Sequence, residues 1–443
     1  MLRLGLHYVE PRRVGFFLAE EGVAWATGAL AALVVARVVG APTTAGGLVV
    51  LAVGVAGFVA LGMSLGDLHD LKVALDGPTS GRRTLKLVGA MCLAGAALAL
   101  AGPWRGAAAT VVVGGVAGAG VALLGLRAAL PAIEQRIGLR TRVFLVGEGQ
   151  AAHRLVREIV RDGAVEVVGF CGPRAVAMAE KARAAGAQLV VVALDDRRGF
   201  PTSELMRCRL LGLEVCEGAH FAARALHRLP VELVKPSDLI FGDGFVSPAW
   251  VRLCRRVISV TVALVLLVAT SPLVALAVLA IRRDSPGPVL FRQTRVGLRG
   301  RPFEILKLRT MSVGAEEGGA TWAQSGDPRV TRVGRLLRRY RVDELPQLVN
   351  VLRGEMELIG PRPERPEFVA MLREQIPYYD LRHLVPPGIT GWAQVSYPYA
   401  ASVEEACEKL QYDLYHVRHL SLSLDVLILL LTARTVLLGR GAR

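Results

Sequence analysis

From Val257 to Ile281 the chain runs 25 residues without a charge, enough to cross a bilayer, yet arginines stand on both sides: Arg252, Arg255 and Arg256 before it, Arg282 and Arg283 after it. A straight crossing would carry one basic cluster to the outer side, against the preference of lysine and arginine for the cytoplasmic face. Near the middle sits Ser271-Pro272, where proline removes a backbone donor and crowds the preceding turn. The pattern predicts a re-entrant membrane helix over 257–281, broken at Ser271 and Pro272, with both flanks at an anionic surface. The alternative is a proline-kinked spanning helix.

Four further uncharged stretches lie in the N-terminal quarter, near Gly22 to Ala36, Gly46 to Gly66, Leu87 to Pro103 and Gly106 to Leu126. They predict a four-helix transmembrane region over 1–130. Arg3, Arg12 and Arg13 precede the first, Lys72, Arg82, Arg83 and Lys86 lie between the second and third, and Arg127, Arg136, Arg140 and Arg142 follow the fourth. Both ends of this region are therefore expected on the cytoplasmic side of a multi-pass inner-membrane protein. With 52% hydrophobic and 21% charged residues and a mean hydropathy of +0.42, an all-soluble chain is excluded. The formal charge of +15 points to anionic partners, whether phospholipid, nucleic acid or phosphorylated metabolites. The six dispersed cysteines have neither C-x-x-C nor zinc spacing.

Residues 141–245 read as a Rossmann-like soluble α/β domain. Strand-like Val143 to Val146 leads into Gly147-Glu-Gly149-Gln-Ala-Ala152 and a helix through Ile159, with further strands expected at Val165 to Phe170 and Leu189 to Leu194 and a helix from Ala175 to Ala185. The G-x-G-x-x-A turn suits a phosphate, but the second strand ends in Phe170-Cys171-Gly172 with no ribose-binding acid. A structural or regulatory module built on the same tight turn is the preferred reading. Asp195 and Asp196 are expected in a solvated turn at a strand end.

Beyond Arg282 the chain turns polar and basic. Val330, Val333, Leu336 and Leu337 recur at helical spacing among arginines, a basic amphipathic surface suited to anionic membrane. Asp343-Glu344 follow, just before a helix that carries Pro346 in its first turn. Read alone, Asp343 is a helix N-cap and Glu344 complements the macrodipole. Next to Arg338, Arg339 and Arg341, the same pair also suits phosphoryl transfer: one carboxylate for phosphorus, one for a divalent cation, and guanidinium forks for the diphosphate.

The strings Gly287-Pro-Val-Leu-Phe-Arg-Gln-Thr-Arg-Val-Gly297, Phe303-Glu-Ile-Leu-Lys-Leu-Arg-Thr-Met311, Val342-Asp-Glu-Leu-Pro-Gln-Leu348, Leu358-Ile-Gly-Pro-Arg-Pro363 and Pro387-Gly-Ile-Thr-Gly-Trp-Ala-Gln-Val395 come in order. Together they resemble the bacterial sugar transferases, the monotopic phosphoglycosyl transferases, and the four-helix start and Rossmann-like insert resemble the long exopolysaccharide-type members. The resemblance implies a membrane-associated α-rich catalytic domain over 250–443. It would transfer a sugar 1-phosphate from a nucleoside diphosphate sugar, usually a UDP-sugar, to undecaprenyl phosphate and release UMP. It implies Asp343 as the attacking group that carries the phosphosugar, and Glu344 as a holder of Mg2+ with Asp413 in support. It implies Arg338, Lys307, Arg309 and the Pro361-Arg362-Pro363 loop at the phosphates and nucleotide, Ser271-Pro272 as the helix break, membrane lipid but no nucleic acid as partner, a homodimer, and a catalytic domain facing the cytoplasm.

Lys307 and Arg309 are also expected to share a face, since they alternate in a strand-like run. Trp392 and Gln394 fit core or rim, and His383, with no ligand spacing around it, a hydrogen-bonded structural role. After Val395 many family members continue Asn-Gly-Arg where this chain has Ser396-Tyr-Pro-Tyr399, a departure that bears on sugar choice. Glu357 stands where a small serine is common. A membrane-anchored nucleotide-sugar dehydratase or epimerase is disfavoured because no tyrosine is followed four residues later by lysine. A membrane scaffold for polysaccharide assembly leaves the Asp-Glu pair without a purpose.

Overall fold

The computed structural model describes residues 2–4, 7–9, 11–38, 84–85, 88–93, 107–137, 140–162, 165–196, 200–241, 244–315, 327–397 and 402–437. The second predicted span, Gly46 to Gly66, lies outside the described residues, as does the third beyond 88–93. Apart from the first few residues the chain forms two compact units, Tyr8–Glu217 and Gly218–Arg443. The boundary falls nearer the N-terminus than the sequence pattern suggests, because Leu229, Val231 and Val234 are buried in the core of the second unit.

In the first unit, helices α1 (Pro11–Val38) and α2 (Ala107–Ile137) lie against one another. Small residues set how close they come: Ala24, Ala32 and Ala36 face Val111, Val116 and Ala119, and a side chain at Gly118 would run into Ala31. Arg127 donates to Glu20 at 2.7 Å in this interface, both side chains buried. Four parallel strands follow, β1 (Thr141–Val146), β2 (Val165–Cys171), β3 (Leu189–Val192) and β4 (Glu214–Glu217), in the spatial order β2-β1-β3-β4. They are interleaved with α3 (Gln150–Asp162), α4 (Met178–Ala184) and α5 (Thr202–Leu210). At the glycine turn, Asp195 accepts from the Ala151 backbone N–H at 2.9 Å and packs directly against Gly149. The start of α3, where a phosphate would be expected, is thus capped by a carboxylate of the chain itself, and Glu148 adds a second against Gly172.

The second unit opens with α6 (Gly218–Leu226) and then α7 (Ala249–Asp284), 36 residues long. Among the described residues, α7 and Thr110–Ala129 of α2 are the two helices long and apolar enough to cross a membrane. Helix α7 continues through Pro272 rather than ending there. The missing proline donor would leave the Val268 carbonyl open, and Ser271 Oγ donates to it at 2.8 Å, while Thr270 Oγ1 donates to Leu266 O at 2.6 Å. Only the two ends of α7 are tied down. Val251, Arg255, Ser259 and Ala263 are buried at one end and Ala277 and Ile281 at the other, while Leu264, Val265, Val268, Leu273 and Leu276 between them are exposed.

The first of these ends is held by charge. Arg255 reaches Asp425 at 2.7 Å, Glu357 at 3.5 Å and the Ile359 carbonyl at 3.0 Å. Arg256 donates to the Val351 and Leu352 carbonyls at the end of helix α9 (Gln347–Arg353). Glu357, on strand β7 (Glu357–Ile359), is therefore the counter-ion of Arg255; burial first, and then neighbouring Asp425, push its carboxyl above the usual range.

The antiparallel hairpin β5 (Leu290–Val296) and β6 (Pro302–Leu308) follows α7, and β7 pairs in parallel with β8 (Gly388–Thr390). Helices α10 (Pro366–Gln375), α11 (Val403–Arg418) and α12 (Leu422–Leu437) complete the core through Leu372, Leu410, Leu414, Tyr415, Leu424 and Ile428. Asn350 of α9, fully buried, joins the helix to β6: its Oδ1 accepts from Leu306 N at 3.0 Å, and its Nδ2 donates to Glu304 O and Glu355 Oε2, both at 2.7 Å. Replacing Asn350 by Ala strands these buried groups and is expected to cost about 3 kcal/mol. The check is a clearly lowered midpoint in thermal unfolding at one fixed scan rate; an unchanged midpoint contradicts the arrangement.

Candidate active site

Helix α8 (Arg332–Arg339) starts at Thr331, whose Oγ1 accepts from Gly334 N at 2.9 Å. Gly334 lies against the Thr310 carbonyl with no room for a Cβ, and this close approach lets Arg338 Nε donate to Thr310 Oγ1 at 2.9 Å. The next turn needs a reversal, and Arg341 supplies it with a left-handed backbone, φ 57°, at a cost of roughly 1 kcal/mol. The single 3-10 turn Val342–Glu344 follows, and α9 begins only at Gln347. Asp343 therefore does not cap that helix; the turn carries both carboxylates into the protein, 7% and 8% exposed.

The two buried acids meet opposite surroundings. Glu344 Oε1 accepts from Arg362 Nη2 at 2.7 Å and Arg341 Nη1 at 3.3 Å, and Lys307 Nζ stands 3.5 Å away. Burial alone would raise this carboxyl, but Arg362, Lys307 and Arg341 outweigh it and hold Glu344 well below the usual range. Asp343 has no such partner, and its Oδ1 is buried without a hydrogen bond. Burial, then the charge of Glu344, push Asp343 upward, against the pull of Lys307, Arg338 and Arg341. A carboxylate oxygen without a partner, under the positive charge of Lys307, Arg338 and Arg341, can attack an electrophile or bind a cation.

The loop Pro361-Arg362-Pro363 is held by its carbonyls, since proline offers no N–H. Pro361 O accepts from Gly388 N at 3.0 Å, Arg362 O from Arg382 Nη2 at 2.9 Å and Pro363 O from Arg295 Nη1 at 3.2 Å. A small cleft opens beside this loop, between Val296, Gly297, His383 and Pro387. His383, pushed down to about 4 by burial and then by Arg382, lies near Asp380, in keeping with a structural role.

The structure brings Asp343, Glu344, Lys307 and Arg362 together, with Arg338 at their edge, and gives two expected members other positions. Arg309 turns away from Lys307: its Nη1 and Nη2 donate to Pro286 O at 2.9 Å and Ser285 O at 2.7 Å, tying the end of α7. Sequence alternation put both on one face, but β6 ends at Leu308 and Arg309 no longer follows the pleat. Asp413 is ion-paired with Arg382 at 2.8 Å. Among the described residues no group of three or more His, Cys, Asp or Glu could hold a metal by itself. A magnesium ion that keeps its waters and borrows phosphate oxygens needs only one or two carboxylates, and the unpartnered Asp343 Oδ1 fits that demand. Glu344 would join only by releasing a cation. Trp392, in the short helix Trp392–Ser396, is core, with Nε1 donating to His227 O at 2.8 Å. Arg382 and Asn350 escaped the sequence reading, since neither lies in a motif whose residue types announce chemistry.

Lys307 is predicted to titrate near pH 8, because burial lowers it more than Glu344 raises it. It is charged below that pH and neutral above. Reductive 13C-methylation and NMR titration should find one lysine near 8, missing in Lys307→Arg and shifted further down in Glu344→Gln; a midpoint near the ordinary lysine value of about 10.4 contradicts the burial.

The bacterial sugar transferase model matches residues 250–439. A UDP-N-acetylgalactosamine-undecaprenyl-phosphate N-acetylgalactosaminephosphotransferase of Aeromonas hydrophila is 42% identical over 249 residues, 56% of this chain and 58% of that protein. An undecaprenyl-phosphate glucose phosphotransferase of Komagataeibacter xylinus is 41% identical over 222 residues, 49% of this chain and 42% of that one. The matches thus span about half the length of these two relatives. A UDP-glucose:undecaprenyl-phosphate glucose-1-phosphate transferase of Caulobacter vibrioides is 46% identical over 229 residues, 50% of this chain and 86% of that protein. With the shared stretch carrying the buried Asp-Glu pair and the Pro-Arg-Pro loop, the chain belongs to the bacterial sugar transferase family.

Proposed function

We propose that this chain is a polyprenyl-phosphate sugar-1-phosphate transferase, moving a sugar 1-phosphate from a UDP-sugar to undecaprenyl phosphate at the cytoplasmic membrane, as the first membrane step of exopolysaccharide assembly. The observation that carries the reading is the buried Asp343, whose Oδ1 lacks any partner, beside Lys307, Arg338 and Arg341. In the first step an Asp343 oxygen bonds to the sugar-proximal phosphorus while the bond from that phosphorus to the bridging oxygen breaks, and UMP leaves with the electron pair. In the second step an oxygen of the lipid phosphate attacks the same phosphorus and Asp343 departs as carboxylate. The charge that spreads over the phosphoryl oxygens meets Arg338 and Arg341, with Arg362 and Lys307 drawn from Glu344 as the diphosphate arrives. Magnesium, held by Asp343 or Glu344 with phosphate oxygens and water, would neutralise part of the diphosphate charge.

Membrane engagement by α7 is part of this proposal. Both of its ends dock on the one unit and its apolar middle is exposed, which supports a re-entrant helix more than a crossing. The relatives named above are called after glucose and N-acetylgalactosamine, so the donor proposed here is a UDP-hexose or UDP-N-acetylhexosamine. The Rossmann-like module is proposed to serve assembly or regulation, since Asp195 and Glu148 stand where a dinucleotide phosphate would bind.

The test is UMP release by purified protein with magnesium and a UDP-sugar panel that includes both of those donors, with and without undecaprenyl phosphate. Lipid-dependent release by wild type and none above background by Asp343→Asn is the expected result. Folded, inserted protein that releases no UMP from any donor overturns the proposal, and favours the scaffold reading.

A further inference from the structure

Arg362 can meet a diphosphate only if its loop is in place, and the loop's own residues do not secure the middle position. Prolines on both sides limit the backbone angles but supply no donor. The Arg362 carbonyl is held instead by Arg382, at 2.9 Å from Nη2. Arg382 is buried, its side chain 3% exposed, and is fixed at three points: that carbonyl, the Tyr379 hydroxyl at 2.8 Å from Nη1, and Asp413 Oδ2 at 2.8 Å from Nη2. Its guanidinium also lies over the Tyr379 ring, 5.2 Å from the centroid. A buried guanidinium without a counter-ion is costly, and the equally buried Asp413 supplies the compensating charge.

We propose that Asp413 and Arg382 are positioning residues for the transfer: Asp413 orients Arg382, and Arg382 holds the backbone of Arg362 so that its guanidinium stands between Glu344 and the arriving diphosphate. Neither touches the reacting atoms. The pair sets the donor site from behind, through one carbonyl. Arginine is required for this, because its fork serves the carbonyl and the carboxylate from one nitrogen and the phenol from the other; lysine offers one nitrogen on a flexible stem.

The inference rests on the transferase reading, and the experiment separates the two. UMP release is measured with the UDP-sugar that wild type turns over fastest, in wild type, Asp413→Asn, Arg362→Lys and the double variant, alongside Arg382→Lys and the milder Tyr379→Phe. Equilibrium binding of UDP is measured in parallel as a readout free of turnover. Asp413→Asn is expected to lower kcat/KM on the order of tenfold or more, as expected for a displaced charge group, and to weaken UDP binding in the same direction. In the Arg362→Lys background the same substitution should cost little, because the group it positions has gone. Equal losses in both backgrounds, in kcat/KM and in UDP affinity, would show only a structural contribution and overturn the inference, as would wild-type kinetics in Asp413→Asn. An inactive wild type that still binds UDP overturns the transferase reading instead, and the UDP-affinity cycle then decides the inference alone.

Discussion

Two adjacent carboxylates are buried together, and only one is neutralised. Glu344 draws Arg362, Arg341 and Lys307, whereas Asp343 keeps a buried oxygen with no partner. An unpaired buried carboxylate costs free energy, so it persists only where the surrounding structure holds it. The elements around it do that in turn. Thr310 carries α8 at close range, the left-handed Arg341 turns the chain inward, and Asn350 clamps α9 to the strand that bears Lys307.

The same framework reaches the apolar helix. Arg255 and Arg256 tie its first half to β7, α12 and the end of α9, and Arg309 ties its far end through Ser285 and Pro286. Arginines that read in the sequence as a basic flank facing lipid are thus partly internal. The apolar helix α7 and the helix next to the acid pair share hydrogen bonds through Arg256, which joins the proposed membrane element of this unit to the acid pair.

Much of this was legible in the sequence because the relevant signals are local. The apolar run at Val143 to Val146, the proline beside the acid pair and the Pro-Arg-Pro loop each act within a few residues. The order of the parallel strands also agrees with the βαβ rhythm. What escaped depends on contacts distant in sequence. Arg309 was expected on the face of Lys307, but beyond the end of β6 it bonds toward the end of α7, and Asp413, which the resemblance set in support of the metal, is paired with Arg382, 31 positions away. Glu357, which stands where a small serine is common, is the ion-pair partner of Arg255. The unit boundary was missed for the same reason: the segment that carries Leu229 and Val231 has no motif, only a core to join.

The central claim is that Asp343 forms a bond to phosphorus. It is tested most directly by intact-mass measurement of protein incubated with magnesium and a turned-over UDP-sugar in the absence of lipid acceptor. The account predicts an added sugar phosphate, mapped by peptide fragmentation to Asp343, and removed when undecaprenyl phosphate is supplied. An enzyme that transfers its sugar phosphate to lipid while neither this adduct nor acceptor-independent, single-turnover UMP release can be detected would contradict it.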